Sequence, residues 1–284
     1  MKTALTTTMI AITLFIVNLK TSTAQTHSCC AMSSTQEFAM LGTKSDFAAA
    51  HLAPIPFSYS SDKGKMVAIT CKDGKPANAY EVRTAKASNK YLVVIHEWWG
   101  LNDYIKREAV ALFEELGDVN VIAIDLYDGK VADAPDKAQE CMKSLTDDRA
   151  KAIINGVVEY AGKNAKIQSI GWCMGGGWSL QTSLLAGKQM KGCVMYYGMP
   201  EKSVDKLKTI ACPVLGIFAN KDKYITPEVV AQFEKDMKAA GKTLTVKRYD
   251  ADHAFANPSN PHYEKTMADE AHGIAVKFLN ANFK

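Results

Sequence analysis

A cysteine set between glycines is the clearest chemical feature of the sequence: Gly171-Trp172-Cys173-Met174-Gly175, preceded by Ile167-Gln168-Ser169-Ile170. A nucleophile that leaves a strand and opens a helix needs this G-x-nucleophile-x-G spacing. The turn is so tight that a side chain at Gly171 or Gly175 would strike the neighbouring strand or helix. It projects the nucleophile above the sheet at a helix N-terminus, where free N–H groups and the macrodipole favour a thiolate. Such a thiolate suits acyl transfer if a base, and a group to orient that base, stand beside it.

Both are expected further along, in the order nucleophile, acid, histidine. Asp222 follows the apolar run Val214–Phe218, and Asp250-Ala251-Asp252-His253 follows Leu244–Tyr249. His253 is the expected base, taking the proton from sulfur and returning one to the leaving group. Asp222 is the acid that fixes its tautomer. Asp250 and Asp252 are rivals for that place, but their closeness to His253 better suits residues that shape its loop. His27 and His51 lie in the lead-in, His262 and His272 near the last helix, and all four are expected in solvent.

A third strand end reads His96-Glu97-Trp98-Trp99-Gly100. Acyl transfer needs two N–H groups for the oxyanion. One comes from the residue after the nucleophile, Met174, and the other from the turn after this strand, with Trp98 the candidate. Glu97 is chemically odd under such a turn. Facing solvent it would be inconsequential; facing Cys173 it would accept the thiol proton or hold it at rest.

These residues need a scaffold that gathers strand ends. Tyr91–Ile95, Val119–Ile124, Ile167–Ile170, Cys193–Tyr197, Val214–Phe218 and Leu244–Tyr249 are short apolar runs, the pattern of strands buried on both faces. Helical spacing over Tyr104–Leu116, Ala150–Ala161, the stretch after Cys173, Thr226–Ala240 and Tyr263–Asn280 alternates with them. Lys65–Cys71 and Ala79–Arg83 flank Lys72-Asp73-Gly74-Lys75 as a hairpin would. Alternation of this kind predicts an α/β fold, a mostly parallel sheet with helices on both faces, whose ligands sit at the carboxyl ends of the strands.

The chain of 284 residues is 47% hydrophobic and 23% charged, enough for one large core. Its net charge of +4 comes with no dense basic run, which argues against nucleic acid as a partner. Residues 1–24 read as a signal peptide: a basic start at Lys2, an apolar centre from Ala11 to Asn18 shorter than the ~20 residues of a membrane span, and Ser22-Thr23-Ala24 for cleavage. Export, and no membrane attachment after cleavage, are the expectations. Residues 25–60 read as a loosely packed lead-in, and 61–284 as the folded domain. The seven cysteines lack metal-ligand spacing. An exported protein invites disulfides among them, the odd count leaves at least one sulfur free, and Cys173 is the expected one. Cys193, inside a strand pattern, is expected to be a buried, inert thiol.

Val93 to Gly100 with Glu97, Asp125-Leu126-Tyr127, Gly171-Trp172-Cys173-Met174-Gly175-Gly176, Tyr196-Tyr197-Gly198, Asp222 and Asp252-His253-Ala254-Phe255 together resemble the dienelactone hydrolase family, in the family's order, from about Lys65 to the C-terminus. The resemblance implies an α/β-hydrolase fold, a monomer, a Cys-Asp-His triad acting on a small ester or lactone, and no metal or organic cofactor. It also implies a resting thiol paired with Glu97 and released toward His253 on substrate binding. Two arginines that grip a substrate carboxylate in well-known members align here with Gly129 and Asn257, and Lys130 is the nearest cation to the first. Trp98, Trp99, Trp172, Tyr197 and Phe255, with Tyr127 and Lys130, are the expected pocket. The competing readings are a thiol-redox or thiol-transfer protein, which would want a second cysteine close by, and a silent binding protein, which would want a broken triad.

Overall fold

The computed structural model describes residues 32–283. The apolar runs become strands. In chain order the elements are α1 (Ser34–Leu41), α2 (Ser45–Ala50), β1 (Gly64–Ile69), β2 (Ala77–Val82), β3 (Lys90–Ile95), α3 (Asp103–Leu116), β4 (Asn120–Ile124), α4 (Pro135–Ser144), α5 (Asp147–Ala161) and β5 (Lys166–Trp172). Then come α6 (Met174–Leu185), β6 (Met190–Tyr196), α7 (Val204–Leu207), β7 (Val214–Ala219), α8 (Pro227–Ala239), β8 (Leu244–Tyr249) and α9 (Lys265–Asn282). Helix starts are chemically marked. The side chains of Asn102, Thr146 and Thr226 accept N–H bonds from the first turns of α3, α5 and α8, supplying partners the helix cannot.

The strand order is β1-β2-β4-β3-β5-β6-β7-β8. β1 and β2 are antiparallel, as are β2 and β4, and every other pair is parallel. The central strands β3, β4 and β7 are buried along almost their whole length, as expected of strands covered on both faces, whereas β8 at the far edge alternates. Register sets the site: Ile95 pairs with Gly171, Trp172 with Tyr196, Tyr196 with Ile217 and Ala219 with Tyr249. Residues just past β3, β5, β6, β7 and β8 therefore emerge along one edge of the sheet.

Two expectations are corrected here. The lead-in is not loosely packed over its whole length. Ser33 and Gln36 close a capping box on α1, and Phe38 and Phe47 are 2% and 0% exposed. Their rings meet edge-on at 5.8 Å, and Phe47 continues onto Trp98 at 5.4 Å and Tyr224 at 4.7 Å. The 32–51 segment thus packs on the domain through Phe38 and Phe47. The disulfide expectation fails among the described residues: Cys71, Cys141, Cys173, Cys193 and Cys212 are all free and buried, so Cys173 is one free thiol of several. Cys29, Cys30 and the signal segment lie outside the described residues.

Candidate active site

The elbow between β5 and α6 is held by backbone, with no room for side chains. A Cβ on Gly171 would lie 2.1 Å from the Gly175 carbonyl oxygen, and one on Gly175 would lie 2.4 Å from the oxygens of Ile95 and His96. Between them Cys173 takes φ +57, a left-handed conformation costing a non-glycine residue ~1–3 kcal/mol. Tyr197 and Ala254, at the ends of two neighbouring segments, also have positive φ. Strain is concentrated where the strand ends converge.

The structure brings Cys173, His253 and Asp222 into line. His253 Nε2 lies 3.3 Å from Cys173 Sγ, and its Nδ1 lies 2.6 Å from Asp222 Oδ2. The other carboxylate oxygen of Asp222 accepts N–H bonds from Tyr224 and Ile225, which fix it beneath the imidazole. The rival acids are elsewhere: Asp250 is an exposed partner of Lys221, and Asp252 is exposed. Burial alone would push Asp222 up, but His253 and the two N–H groups bring its pKa below the usual carboxylate value. Burial opposes charge on His253 as well, yet Asp222 and the sulfur raise its pKa well above the ordinary value. Burial pushes the Cys173 thiol up, with Glu97 adding to it and His253 opposing. Sulfur and imidazole lie within hydrogen-bond distance, so a proton can pass between them.

Met174, the residue after the nucleophile, opens α6 directly behind Cys173. Because Gly175 backs onto the carbonyls of Ile95 and His96, the turn carrying Trp98 lies against the start of α6. Trp98 itself is fully buried.

Glu97 is buried but does not hold the thiol. It accepts hydrogen bonds from Tyr197 Oη at 3.2 Å and from Asn257 Nδ2, while the sulfur is bonded to His253. The resting pair implied by the resemblance is replaced here by one already oriented toward the histidine. Asn257 is one of the two side chains that engage Glu97 instead. Its amide occupies the Glu97 carboxylate, and its own oxygen is held by Ser259 N–H and Oγ. Burial lifts the Glu97 pKa from its usual 4.5 to about 7, against the opposing pull of His253, Tyr197 and Asn257.

A stability prediction follows from that shift. Folded Glu97 binds its proton more tightly than the unfolded chain does, so the stability it contributes is fully present below pH 4.5 and is lost as pH rises toward about 7. The loss is about 3 kcal/mol, taking 1.36 kcal/mol per pKa unit. Glu97→Gln mimics the protonated form and should remove that fall. Urea unfolding at pH 5 and pH 8 should show the variant gaining on the wild type by about this much at the higher pH. Parallel pH profiles for the two proteins would contradict the assignment.

Of the expected pocket residues, Trp99 and Trp172 line a cavity of about 240 Å³, with Glu97, Tyr196, Asn257 and residues of α3 including Arg107 and Glu108. Lys130 does not line it and is exposed. It leaves the surface of the turn shaped by Asp125, whose carboxylate accepts the N–H groups of Tyr127 and Gly129. Tyr127 is buried with its hydroxyl on Met174 Sδ at 3.2 Å. Phe255 packs against Tyr197 and Tyr249, and Tyr197 lies between Glu97 and the His253 ring. These three serve as packing around the site, away from the cavity wall.

Two histidines expected in solvent are engaged by the protein, His272 half-buried and His51 buried. His272 lies between Glu108 and Glu115, whose carboxylates, Glu108 foremost, raise its pKa to about 9. His51 is 6% exposed, and its ring centroid is 5.3 Å from that of His253 and 4.6 Å from that of Trp98. Burial, with the nearby charge of His253, lowers its pKa to about 3, so it is neutral. Ligand atoms of His51, Cys173 and His253 all lie within 4.8 Å of one another, a group able to hold a metal ion. His262 is exposed as expected.

The chain resembles known proteins over most of its length. It is 29% identical over 228 residues to Protein usf of Aquifex pyrophilus, covering 76% of this chain and 97% of that one. It is 24% identical over 227 residues to a carboxymethylenebutenolidase of a Pseudomonas species, covering 75% and 93%. Among solved structures, a dienelactone hydrolase-like promiscuous phosphotriesterase from metagenomic libraries superposes with a TM-score of 0.67 at 18% identity, covering 77% of this chain and 98% of that one. A Pyrococcus furiosus esterase does so with a TM-score of 0.61 at 17% identity, covering 82% and 100%. Both share the α/β-hydrolase fold seen here. The family model for dienelactone hydrolases matches residues 77–283. The chain belongs to the dienelactone hydrolase family.

Proposed function

We propose that the protein hydrolyses a carboxylic ester or lactone with Cys173 as nucleophile, through a thioester acyl-enzyme. One observation carries this reading: the unbroken line from Asp222 Oδ2 to His253 Nδ1 at 2.6 Å and from His253 Nε2 to Cys173 Sγ at 3.3 Å, on a strained elbow. Sulfur passes its proton to His253 and attacks the substrate carbonyl carbon. The oxyanion is accepted by the N–H groups of Met174 and Trp98. Collapse breaks the C–O bond as His253 returns the proton to the leaving oxygen. Water then attacks the thioester, again giving its proton to His253, and the acid leaves as the thiol re-forms. Asp222 keeps the imidazole in one tautomer and steadies its positive charge, and Glu97 adds a second carboxyl near that charge.

A chromogenic short-chain ester, assayed before and after treatment with iodoacetamide, tests the reading. Turnover lost on alkylation supports it. A reactive thiol without ester turnover would favour thiol exchange instead.

The substrate class is a neutral ester or lactone. Gly129 is exposed and without a side chain, Asn257 is engaged with Glu97, and Lys130 does not reach the cavity wall. Arg107 lines the cavity, but so do the acids Glu97, Glu108 and Asp269, and its guanidinium rests 4.8 Å from the centre of the Phe57 ring. Charge-assisted hydrogen bonds are worth ~1.5–3 kcal/mol each. Without them kcat/KM should be about 10² lower for a carboxylate-bearing lactone than for its neutral methyl ester. If the wild type prefers the anion and Arg107→Met removes that preference, Arg107 is the carboxylate clamp and the reading of the pocket fails.

We further infer export. Among the described residues no helix is long and apolar enough to cross a membrane. Met1 to about Ala24 should be missing from the mature protein, on the strength of their basic start, short apolar core and small-residue exit. Intact-mass measurement on protein from its own host decides this, and a mass that includes Met1 would refute it.

A further inference from the structure

His51 comes from a segment ahead of residues 77–283, the part matched by the family model, yet it is packed over the nucleophile. Its Nδ1 lies 2.7 Å from the Phe47 carbonyl oxygen, which can only accept, so the proton is on Nδ1 and the lone pair on Nε2. That Nε2 is buried with no hydrogen-bond partner among the described residues. An orphaned polar atom in a protein interior calls for an explanation. With Nδ1 engaged, Nε2 is the nitrogen left to face Cys173 and His253, whose ligand atoms lie within 4.8 Å of it.

His253 is built the same way. Its Nδ1 is fixed by Asp222 and its Nε2 points at the sulfur. A histidine whose far nitrogen donates to a carboxylate or a backbone carbonyl has the usual arrangement of a metal ligand, with tautomer and ring orientation already set. Two such imidazoles and a thiol are the donors that zinc favours, and three protein ligands leave the fourth position open. Zn–N bonds of about 2.0–2.1 Å and a Zn–S bond of about 2.3 Å place tetrahedral ligand atoms roughly 3.3–3.6 Å apart. The His253–Cys173 separation of 3.3 Å is already within a few tenths of an ångström of this, and separations within 4.8 Å need to shorten by no more than about 1.5 Å.

We propose that His51, Cys173 and His253 form a zinc site that switches the enzyme off reversibly. Binding converts the thiol to a zinc-bound thiolate. The thiol proton goes to water, and the sulfur lone pair and the His253 nitrogen both become unavailable for acyl transfer. Only the inhibition rests on the proposed hydrolysis; the binding does not.

The test is direct titration of the reduced, chelator-washed full-length protein with cobalt(II) as a spectroscopic stand-in, followed by zinc. One equivalent of cobalt should produce a thiolate-to-metal charge-transfer band in the near ultraviolet, with the intense visible bands of a tetrahedral ion. Zinc should abolish both. The bands should vanish in Cys173→Ser and weaken severely in His51→Gln, whose fold is checked by circular dichroism. X-ray absorption on the zinc-loaded wild type keeps the proposal testable even if His51→Gln undocks its segment. It should show one sulfur and two imidazoles around the ion. Zinc should inhibit ester turnover, a chelator should restore it, and His51→Gln should raise the half-inhibiting zinc concentration by more than the ~10–100-fold that loss of an outer partner costs. No charge-transfer band in the wild type, or a zinc shell with fewer than two imidazoles, overturns the site. A correct shell with turnover unaffected by zinc overturns the switch.

Discussion

Cys173→Ala should turn over no ester above the buffer rate, a loss on the order of 10⁶ in kcat by analogy with nucleophile removal in a serine triad. Nothing else near the elbow can replace the sulfur. The alanine leaves Asp222 and His253 paired, but with no atom to carry the acyl group. The fold should survive, because the elbow is shaped by backbone packing at Gly171 and Gly175, and alanine keeps the same Cβ. A change in stability of no more than ~1 kcal/mol is expected, as one buried sulfur is lost. Steady-state kinetics and a urea midpoint on the same preparation check both halves. Retention of a tenth of wild-type kcat would remove Cys173 from the mechanism.

Asp222→Asn should lower kcat by about 10⁴, the effect of the equivalent change in a serine triad. An amide can present its N–H to Nδ1 and so stabilise the wrong tautomer, in which Nε2 carries the hydrogen and cannot accept the proton from sulfur. The N–H bonds from Tyr224 and Ile225 should hold the asparagine oxygen as they hold Asp222 Oδ1, so the geometry persists while the chemistry fails. Asp250→Asn and Asp252→Asn, at exposed positions, should change kcat by about twofold at most, the range of ordinary surface substitutions. Comparison of kcat in the three variants settles the acid. A larger loss at Asp250 or Asp252 than at Asp222 would contradict the assignment.

The central sheet was legible because strands buried on both faces announce themselves as unbroken apolar runs, and the elbow because its glycines are required sterically. Asp222 and His253 were legible from their places just past two such runs. Four things were not. α4, with Pro135 at its start, buries only Ala138, Cys141 and Met142, too small and mixed a face to show helical periodicity. α1 and α2 bury little beyond Phe38 and Phe47, and helices of eight and six residues offer too few turns for a pattern. His51 carries no signal at all, since its burial depends on rings brought together by the fold. The pairing of Glu97 with Asn257 joins residues 160 positions apart. The departure of Asn257 from the family pattern was visible; that it would occupy Glu97 was not.

The mechanism stands or falls on where the acyl group goes. Wild-type protein mixed with an excess of p-nitrophenyl acetate, acid-quenched within the first turnovers and digested at low pH, should carry one acetyl group, on Cys173, as a thioester cleaved by hydroxylamine. Acetyl found instead on another residue, or rapid turnover with Cys173 never acetylated, would contradict the account.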